Sequence, residues 1–247
     1  MIPYFTFPTF EVLNQTVSSF GILVTIGLFF GHKAMLTQAR RQGLPQKICY
    51  DLVFYTIIAG FIGAHLFHGF FYEKPFSWRK IFLTFHGLSS MGGFIGGWLG
   101  GYVFLRIKDQ PVLRYADVSL WALVIGMFWG RLGCFSVHDH PGKLTNFFLG
   151  VTFPGGARHD LGLYEALFLL FLILWLKAVT WKKNKPLLVT QTILIGYGVF
   201  RFAFDFLRAT DLQHADARYW GLTPAQYVGI GWIVIGFVMV RFRRLNH

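Results

Sequence analysis

The sequence predicts an all-α protein that crosses a membrane about seven times, as a single transmembrane domain over residues 1–247 with short outer loops. Three observations support this prediction: the composition, the length of the apolar runs and the placement of the basic residues. Of the 247 residues, 54% are hydrophobic and only 14% are charged, whereas a soluble domain carries about 25% charged residues. The mean hydropathy of +0.50 likewise indicates that lipid, rather than water, surrounds much of the chain.

The apolar runs are counted as membrane spans because about 20 helical residues cross the hydrocarbon core of a bilayer. In chain order, the predicted spans cover residues 17–30, 52–70, 91–105, 118–131, 163–178, 187–206 and 227–240. The first run lacks a small-residue cleavage site, so we expect a retained helix rather than a signal peptide.

The basic residues predict how the helices are oriented. If the N-terminus lies outside, most of the 23 Lys and Arg residues fall in cytoplasmic segments, as the positive-inside rule requires. The sequence therefore predicts an outer N-terminus and a cytoplasmic C-terminus. The formal charge of +12 does not indicate nucleic-acid binding, because the basic residues form short clusters rather than one continuous face. We expect these clusters to contact anionic membrane lipids.

A glycine-rich run opens the third predicted span. Glycines occupy positions 92, 93, 96, 97, 100 and 101, directly after Met91. Such density lets helix backbones approach each other closely. We therefore predict that the glycines after Gly93 serve helix packing. Gly92 and Gly93 lie at the predicted outer start of the helix, where unpaired N–H groups attract anions. These two residues are therefore predicted to contact an anionic ligand.

The segment after the fourth predicted span contains residues suited to proton transfer. His138, Asp139 and His140 follow Cys134, and histidine is the side chain that titrates nearest to neutral pH. A general acid/base role is therefore predicted for His138 or His140. Two histidines and one carboxylate are weak evidence for a metal, so neither a metal site nor a cofactor is predicted. Cys134 is interpreted as a buried structural residue, and Cys49 falls at the opposite side of the membrane, which argues against a disulfide.

A stripe of ionisable residues occurs near the end of the sixth predicted span. Arg201, Asp205 and Arg208 are spaced i, i+4 and i+7, which predicts one helix face. Ionisable residues in a membrane cost free energy unless they are paired or hydrated. The stripe is either an internal salt bridge with one arginine that reaches the interface, or a site for an external anion. A phospholipid phosphate would fit the guanidinium fork.

Several motifs follow one another in order along the chain. They are Gly60-Phe-Ile-Gly-Ala-His-Leu-Phe-His, Ser90-Met-Gly-Gly-Phe-Ile-Gly-Gly, Gly130-Arg-Leu-Gly-Cys-Phe, Phe153-Pro-Gly-Gly, Arg158-His-Asp-Leu-Gly-Leu-Tyr-Glu-Ala, Gly196-Tyr-Gly-Val-Phe-Arg-Phe-Ala-Phe-Asp-Phe-Leu-Arg and Gly221-Leu-Thr-Pro-Ala-Gln. From about Phe20 to the last helix, this series resembles the prolipoprotein diacylglyceryl transferase family. The segments 158–166 and 196–208 carry the strongest resemblance.

The resemblance implies an enzyme of the bacterial inner membrane that moves a diacylglyceryl group from phosphatidylglycerol to the cysteine thiol of a prolipoprotein, releasing glycerol phosphate. It implies that Arg131 and Arg201 hold the phosphate and stabilise its charge as the C–O bond breaks. The other residues implied at the lipid site are Gly92, Gly93, Tyr164, Glu165, Tyr197, Asp205 and Arg208. The thiol must first lose its proton, because the thiolate is the nucleophile.

The chain departs from the family pattern at two positions that bear on this proton. Met91 stands where the family carries histidine before the paired glycines, and Cys134 stands where the family carries asparagine. The base is then expected among His86, His138 and His140. Three interpretations remain: a transferase with a relocated base, a paralogue that uses the same lipid with another acceptor, or a membrane protein that binds phospholipid without catalysis.

Overall fold

The structure is a computed structural model that describes residues 1–7, 9–12, 15–71, 89–180, 186–212 and 218–245. Within these ranges lie seven α-helices: α1 (Ser19–Arg41), α2 (Gln46–Phe71), α3 (Ser90–Ile107), α4 (Val112–Val137), α5 (Leu161–Thr180), α6 (Leu188–Phe204) and α7 (Pro224–Leu245). The same ranges contain six short strands: β1 (Ile2–Pro3), β2 (Phe10–Val12), β3 (Gln15–Val17), β4 (Pro141–Leu144), β5 (Val151–Phe153) and β6 (Gly156–Asp160). Each helix overlaps one predicted span, which confirms the predicted fold class, although most helices extend beyond the predicted ends.

Five of the seven described helices are long and apolar enough to cross a bilayer by their length and composition: α1, α2, α4, α5 and α7. Helix α3 has 18 residues, of which six are glycine, and α6 has 17 residues. Both are near the lower limit of about 17 residues for a membrane span. The chain is therefore a multi-pass membrane protein, and the orientation of its termini stays a prediction.

Contacts divide the chain into two compact units, one formed by Met1–Ala34 with Ala116–His247 and the other by Met35–Tyr115. The first unit holds the start of α1, most of α4 and all of α5, α6 and α7. The second unit holds the end of α1, helices α2 and α3, and the first turn of α4. That the whole chain acts as a single transmembrane domain stays a prediction.

In the second unit, glycines bring the backbones of α2 and α3 into contact. A Cβ atom added at Gly63 would lie 2.5 Å from the carbonyl oxygen of Gly92 and 2.8 Å from the Cα atom of Gly96. A Cβ atom added at Gly100 would overlap Ala59. The predicted packing role of the later glycines is confirmed at Gly96 and Gly100, where a side chain would collide with the partner helix.

In the first unit, an apolar core forms where α4, α5 and α6 pack together. Its buried members are Val124, Leu169, Leu172, Ile173, Leu176, Val189, Ile193, Tyr197 and Phe200. Helices α6 and α7 also approach closely, since a Cβ atom added at Gly198 would lie 2.8 Å from the carbonyl oxygen of Gly229. Close van der Waals packing of this kind stabilises helix pairs in lipid.

The segment between α4 and α5 forms strands, which the sequence does not predict. β5 and β6 form an antiparallel hairpin, β4 pairs with β6, and β1 pairs with β5 in parallel. An isolated bridge joins Gly142 in β4 to Arg208, just beyond α6. The first residues of the chain, the end of α4, the start of α5 and the end of α6 therefore lie together, and this part of the first unit is named the sheet end.

Replacing Gly63 with valine is expected to lower the midpoint of thermal unfolding, because the new side chain would push α2 and α3 apart. Overpacking of this kind costs about 1–3 kcal/mol. Gly231 on α7 provides the control, since a Cβ atom there meets nothing within 4 Å. Heating both purified variants in detergent and following the loss of monodisperse protein measures the difference. Equal midpoints for Gly63→Val and Gly231→Val would contradict the close approach of the two helices.

Candidate active site

A buried carboxylate, Glu165, lies at the centre of the charged residues of the sheet end. Its Oε1 atom is 3.0 Å from Nε of Arg131, and its Oε2 atom is 3.4 Å from Nη1 of Arg201. The hydroxyl of Tyr197 donates a hydrogen bond to Oε1. Because Glu165 is only 2% exposed, these three partners supply the charge and the hydrogen bonds that a buried carboxylate needs.

Local sequence brings the start of α5 close to the end of α4. Asp160 caps α5 by accepting a hydrogen bond of 3.0 Å from the N–H of Leu163, as carboxylates at helix N-termini commonly do. Gly162 lies in the first turn, where an added Cβ atom would be 3.1 Å from the Cβ atom of Cys134. Glycine at this position therefore lets the two helices meet, which places Glu165 beside the last turns of α4.

A second buried carboxylate, Asp205, extends this group of charges. Its Oδ1 atom lies 3.5 Å from Nη2 of Arg201 and 2.6 Å from Nε of Arg208. Its other oxygen accepts a hydrogen bond from the hydroxyl of Thr223. Thr223 and Gln226 form a capping box at the start of α7, in which the N–H of Thr223 donates to Oε1 of Gln226 at 2.9 Å. The Thr-Pro-Ala-Gln motif thus holds Asp205, a role that the sequence does not predict.

The expectation that Arg201, Asp205 and Arg208 share one helix face is wrong. Helix α6 ends at Phe204, and Asp205–Leu207 forms a 3₁₀ turn. Arg208 then adopts an extended backbone with φ −60° and ψ 139° and pairs with β4. The helix therefore ends before Arg208, yet the three charged side chains still meet because Asp205 contacts both arginines.

The arginine cluster, as we name this group, has three positive and two negative side chains. Its members are Arg131, Glu165, Arg201, Asp205 and Arg208. The internal salt bridges, one of the two predicted alternatives, are present. The arginine side chains are 17% to 21% exposed, whereas the carboxylates are 1% to 2% exposed. The guanidinium groups are therefore the parts of the cluster that an external ligand can reach.

His138 is a core residue of the sheet end. Its Nδ1 atom lies 2.7 Å from Oδ2 of Asp160, and both side chains are 1% exposed. Burial raises the pKa of Asp160, while the hydrogen bond with His138 opposes this rise. The imidazole is surrounded by the rings of Tyr4, Phe5, Phe135 and Phe153. An imidazole enclosed in this way is poorly placed to exchange a proton with a substrate.

His140 is the accessible histidine of this segment. Its Nδ1 atom hydrogen-bonds to the carboxylate of Asp139, and the two side chains are 30% and 41% exposed. Cys134 links this pair to the arginine cluster, since its Sγ atom is 4.0 Å from Nη1 of Arg131. His86 lies outside the described residues. The acid/base roles of these histidines stay predictions, and the geometry favours His140.

Comparison with known sequences identifies the family of the chain that carries this site. Residues 8–242 match the family described as prolipoprotein diacylglyceryl transferase. The chain belongs to this family. A phosphatidylglycerol–prolipoprotein diacylglyceryl transferase of Ehrlichia canis is 31% identical over 199 residues, which cover 77% of this chain and 76% of the relative. Proteins of the same name are similar over most of the chain in Finegoldia magna (27% over 239 residues, 93% of this chain and 92% of the relative) and in Francisella tularensis (30% over 236 residues, 90% and 87%).

The arginine cluster of this diacylglyceryl transferase family member brings together most of the residues that the resemblance implied. Tyr164 is separate, because its hydroxyl lies 2.8 Å from Nδ1 of His159 on β6. Burial lowers the pKa of His159, so the neutral imidazole is favoured at neutral pH and can accept a hydrogen bond from the hydroxyl of Tyr164. Tyr164 therefore connects α5 to the sheet through this hydrogen bond.

Arg158 ties the sheet to the loop that follows Arg208. Its Nη1 and Nη2 atoms lie 3.0 Å and 2.5 Å from the two carboxylate oxygens of Asp211, and Nη1 also donates to the carbonyl oxygen of Gly142 at 3.0 Å. These hydrogen bonds hold the pKa of Asp211 below its ordinary value. A bidentate pair fixes orientation as well as distance. Arg158 therefore fixes the orientation of the loop that carries Asp211 relative to the sheet.

Gly92 and Gly93 lie in the second unit, at the start of α3. The N–H of Gly92 donates to Oγ of Ser89 at 3.5 Å, and the N–H of Gly93 donates to the carbonyl oxygen of Ser89 at 3.0 Å. A Cβ atom added at Gly92 would overlap Gly63 and Phe67 on α2. These N–H groups therefore already serve the start of the helix, and a contact with the lipid headgroup stays a prediction.

Replacing His138 with alanine is expected to destabilise the protein, whereas replacing His140 is not. Loss of a buried ring leaves a cavity and removes the partner of Asp160, which together cost about 3 kcal/mol or more. The partly exposed His140 should change stability by less than about 0.5 kcal/mol. Thermal midpoints of the two alanine variants in detergent measure the difference, and equal midpoints would contradict a structural role for His138.

Proposed function

We propose that this membrane protein transfers a diacylglyceryl group from phosphatidylglycerol to the cysteine thiol of a prolipoprotein. Membership of the transferase family supports this reaction, and relatives aligned over 76% to 92% of their length carry the corresponding name. The observation that carries the proposal is the arginine cluster, in which two buried carboxylates hold three partly exposed guanidinium groups.

The charge of the arginine cluster suits the donor lipid. Phosphatidylglycerol carries a single negative charge on its phosphodiester, and the cluster presents three partly exposed guanidinium groups. A guanidinium group has several N–H donors in a planar fork that matches phosphate oxygens. Arg131 and Arg201 therefore keep donors for the phosphate while each also pairs with Glu165.

The reaction is the transfer of an alkyl group to sulfur. The acceptor thiolate attacks the glyceryl carbon that bears the phosphate, so a C–S bond forms while the C–O bond breaks. Glycerol phosphate leaves with the electron pair of the C–O bond, and the proton lost by the thiol balances the additional charge on the phosphate. Negative charge thus grows on the phosphate in the transition state, where Arg131 and Arg201 are placed to stabilise it.

Glu165 holds the two arginines in position before the lipid arrives. A buried carboxylate that contacts both guanidinium groups restricts them to a narrow range of orientations, and Tyr197 fixes the carboxylate in turn. Charges that are already oriented need no rearrangement when the reaction begins, which is the main source of electrostatic catalysis. Glu165 and Tyr197 are therefore positioning residues.

The acceptor thiol must lose its proton before it attacks, because only the thiolate is strongly nucleophilic. His140, paired with Asp139 and 30% exposed, is the described histidine placed to take part in this step. Its neighbour Cys134 contacts Arg131, so the deprotonation step and the phosphate site would lie side by side.

We place this reaction at the outer face of the bacterial inner membrane. The arginine cluster and the first strand of the chain both belong to the sheet end. An N-terminus outside the membrane would therefore put the site at the outer face. The excess of basic residues in the segments assigned to the cytoplasm supports this orientation.

Mass spectrometry of the purified protein, incubated with phosphatidylglycerol and a synthetic prolipoprotein peptide, tests the proposal. The expected product is a peptide heavier by one diacylglyceryl group, with glycerol phosphate released in equal amount. A peptide with serine in place of the acceptor cysteine is the control. Lipid consumed without a modified peptide would indicate another acceptor, and no change in either would indicate a phospholipid-binding protein; both results would overturn the proposal.

Arg201→Ala is expected to slow the transfer by at least about 100-fold, because a group that stabilises the transition state is lost. Arg201→Lys keeps the charge without the fork and should recover only part of the rate. Arg106, an exposed residue in the last turn of α3, provides the control, and Arg106→Ala should transfer at the wild-type rate. A wild-type rate in folded Arg201→Ala protein would contradict the assignment of the phosphate site.

A further inference from the structure

Three side chains with metal-binding atoms converge where α4 ends. One such atom from each of Cys134, Asp139 and His140 lies within 4.8 Å of the other two. Cys134 is buried, whereas His140 and Asp139 are partly or largely accessible. Asp139 hydrogen-bonds to His140 and to the thiol of Cys134, so its carboxylate lies between the other two groups.

Backbone hydrogen bonds fix the turn that brings these residues together. The N–H of Asp139 donates to the carbonyl oxygen of Cys134 at 3.4 Å, and the N–H of Leu161 donates to the carbonyl oxygen of His140 at 3.1 Å. Gly162 packs against Cys134, so that the start of α5 closes over the thiol. The backbone of the group is therefore held in place, and its ligand atoms need only side-chain rotation to adjust.

The spacing and the chemistry of the three side chains fit a zinc ion. With Zn–S of about 2.3 Å and Zn–N or Zn–O of about 2.0–2.2 Å, tetrahedral ligand atoms lie about 3.3–3.6 Å apart. The longest of these separations would therefore have to shorten by at most about 1.5 Å to close the group around an ion. Ca²⁺ and Mg²⁺ prefer oxygen ligands, whereas a thiolate combined with an imidazole and a carboxylate selects Zn²⁺ or a similar thiophilic cation.

We propose that Cys134, Asp139 and His140 bind a Zn²⁺ ion, with a fourth coordination position open to a ligand from outside the chain. Three protein ligands with an open position are the arrangement of catalytic zinc sites, whereas structural sites are closed by four protein ligands. Asp139 and His140 are 41% and 30% exposed, so the ion can be reached from the accessible side of the sheet end.

The charges around the group are compatible with a bound cation. Arg131 is the nearest positive group described, with Nη1 at 4.0 Å from Sγ of Cys134. Its charge is partly offset by Glu165, whose Oε1 atom is 3.0 Å from Nε of Arg131 and whose Oε2 atom contacts Arg201. A thiolate and the Asp139 carboxylate add two negative charges, which balance Zn²⁺ when His140 binds as the neutral imidazole.

The identity of the fourth ligand rests on the proposed function. The acceptor of the transfer is a cysteine thiol, and a thiol that coordinates Zn²⁺ is a thiolate at neutral pH. The thiol proton passes to water on coordination. The sulfur then forms the C–S bond with the glyceryl carbon, and glycerol phosphate leaves with the electron pair of the C–O bond. His140 acts here as a metal ligand rather than as the proton acceptor, and thiol activation needs no histidine at the position of Met91.

Cobalt substitution of the purified full-length protein in detergent tests the metal site without reference to activity. After chelation and removal of the chelator, Co²⁺ titration of the wild type should give a thiolate-to-cobalt absorption band that saturates near one ion per chain and is displaced by Zn²⁺. Cys134→Ser, Asp139→Asn and His140→Ala should each weaken binding at least about 10-fold. Cys49→Ser, which removes the other buried cysteine, should bind as the wild type does.

Three results would overturn the site. They are no thiolate band in the wild type, an unchanged band in folded Cys134→Ser protein, and loss of the band in Cys49→Ser protein. Zinc X-ray absorption of the wild type keeps the inference testable if the Cys134 variant fails to fold. A shell with one sulfur ligand is expected, and a shell of nitrogen and oxygen alone would indicate an adventitious ion only.

Chelation separates this inference from the proposed function. Metal-free protein should lose the transfer of diacylglyceryl to the peptide, and Zn²⁺ should restore it. Full transfer by metal-free protein would overturn thiol activation by the metal while leaving the proposed function standing. Zinc binding without any transfer would support the site and overturn the proposed function. Transfer by a protein that binds no zinc would support the proposed function and overturn the metal site.

Discussion

The ion pairs of Glu165 with Arg131 and Arg201 are the interaction on which the architecture of the sheet end depends. An unpaired carboxylate buried in a membrane protein would cost several kcal/mol, so the ends of α4, α5 and α6 must meet for the chain to fold. The glycine contact between α5 and α4 and the capping of α5 by Asp160 make that meeting possible. Structural and chemical requirements thus converge on the same carboxylate.

The sequence predicted the helices well because their signal is local. Each apolar run overlaps a described helix, and the glycines of α3 pack as their spacing indicated. The sheet was missed because its strands have two to five residues, too few to show a periodic pattern. The end of α6 was missed for a related reason, since the bridge between Arg208 and Gly142 joins segments that are distant in sequence.

The site was predicted in part. The features that the sequence did not predict depend on contacts between segments that are distant in sequence. Family resemblance pointed to Arg131, Arg201 and Glu165, but no spacing rule places a carboxylate of α5 between arginines of α4 and α6. His138 and His140 look equivalent in the sequence. They differ because rings from β5 and from the first residues of the chain enclose only His138. In the sequence, Cys134 has the pattern of a buried structural residue. In the structure, the turn after α4 places a carboxylate and an imidazole beside it.

The capping box at the start of α7 has a consequence for how a lipid can travel. Thr223 donates to Asp205 while Gln226 donates to the carbonyl oxygen of Phe202, and Gly198 packs on Gly229 along the same pair of helices. Helices α6 and α7 thus pack closely through their backbones and are joined at one end by hydrogen bonds. A two-tailed molecule entering from the bilayer would meet less resistance elsewhere, because parting these two helices would also break the hydrogen bond that the buried Asp205 accepts from Thr223.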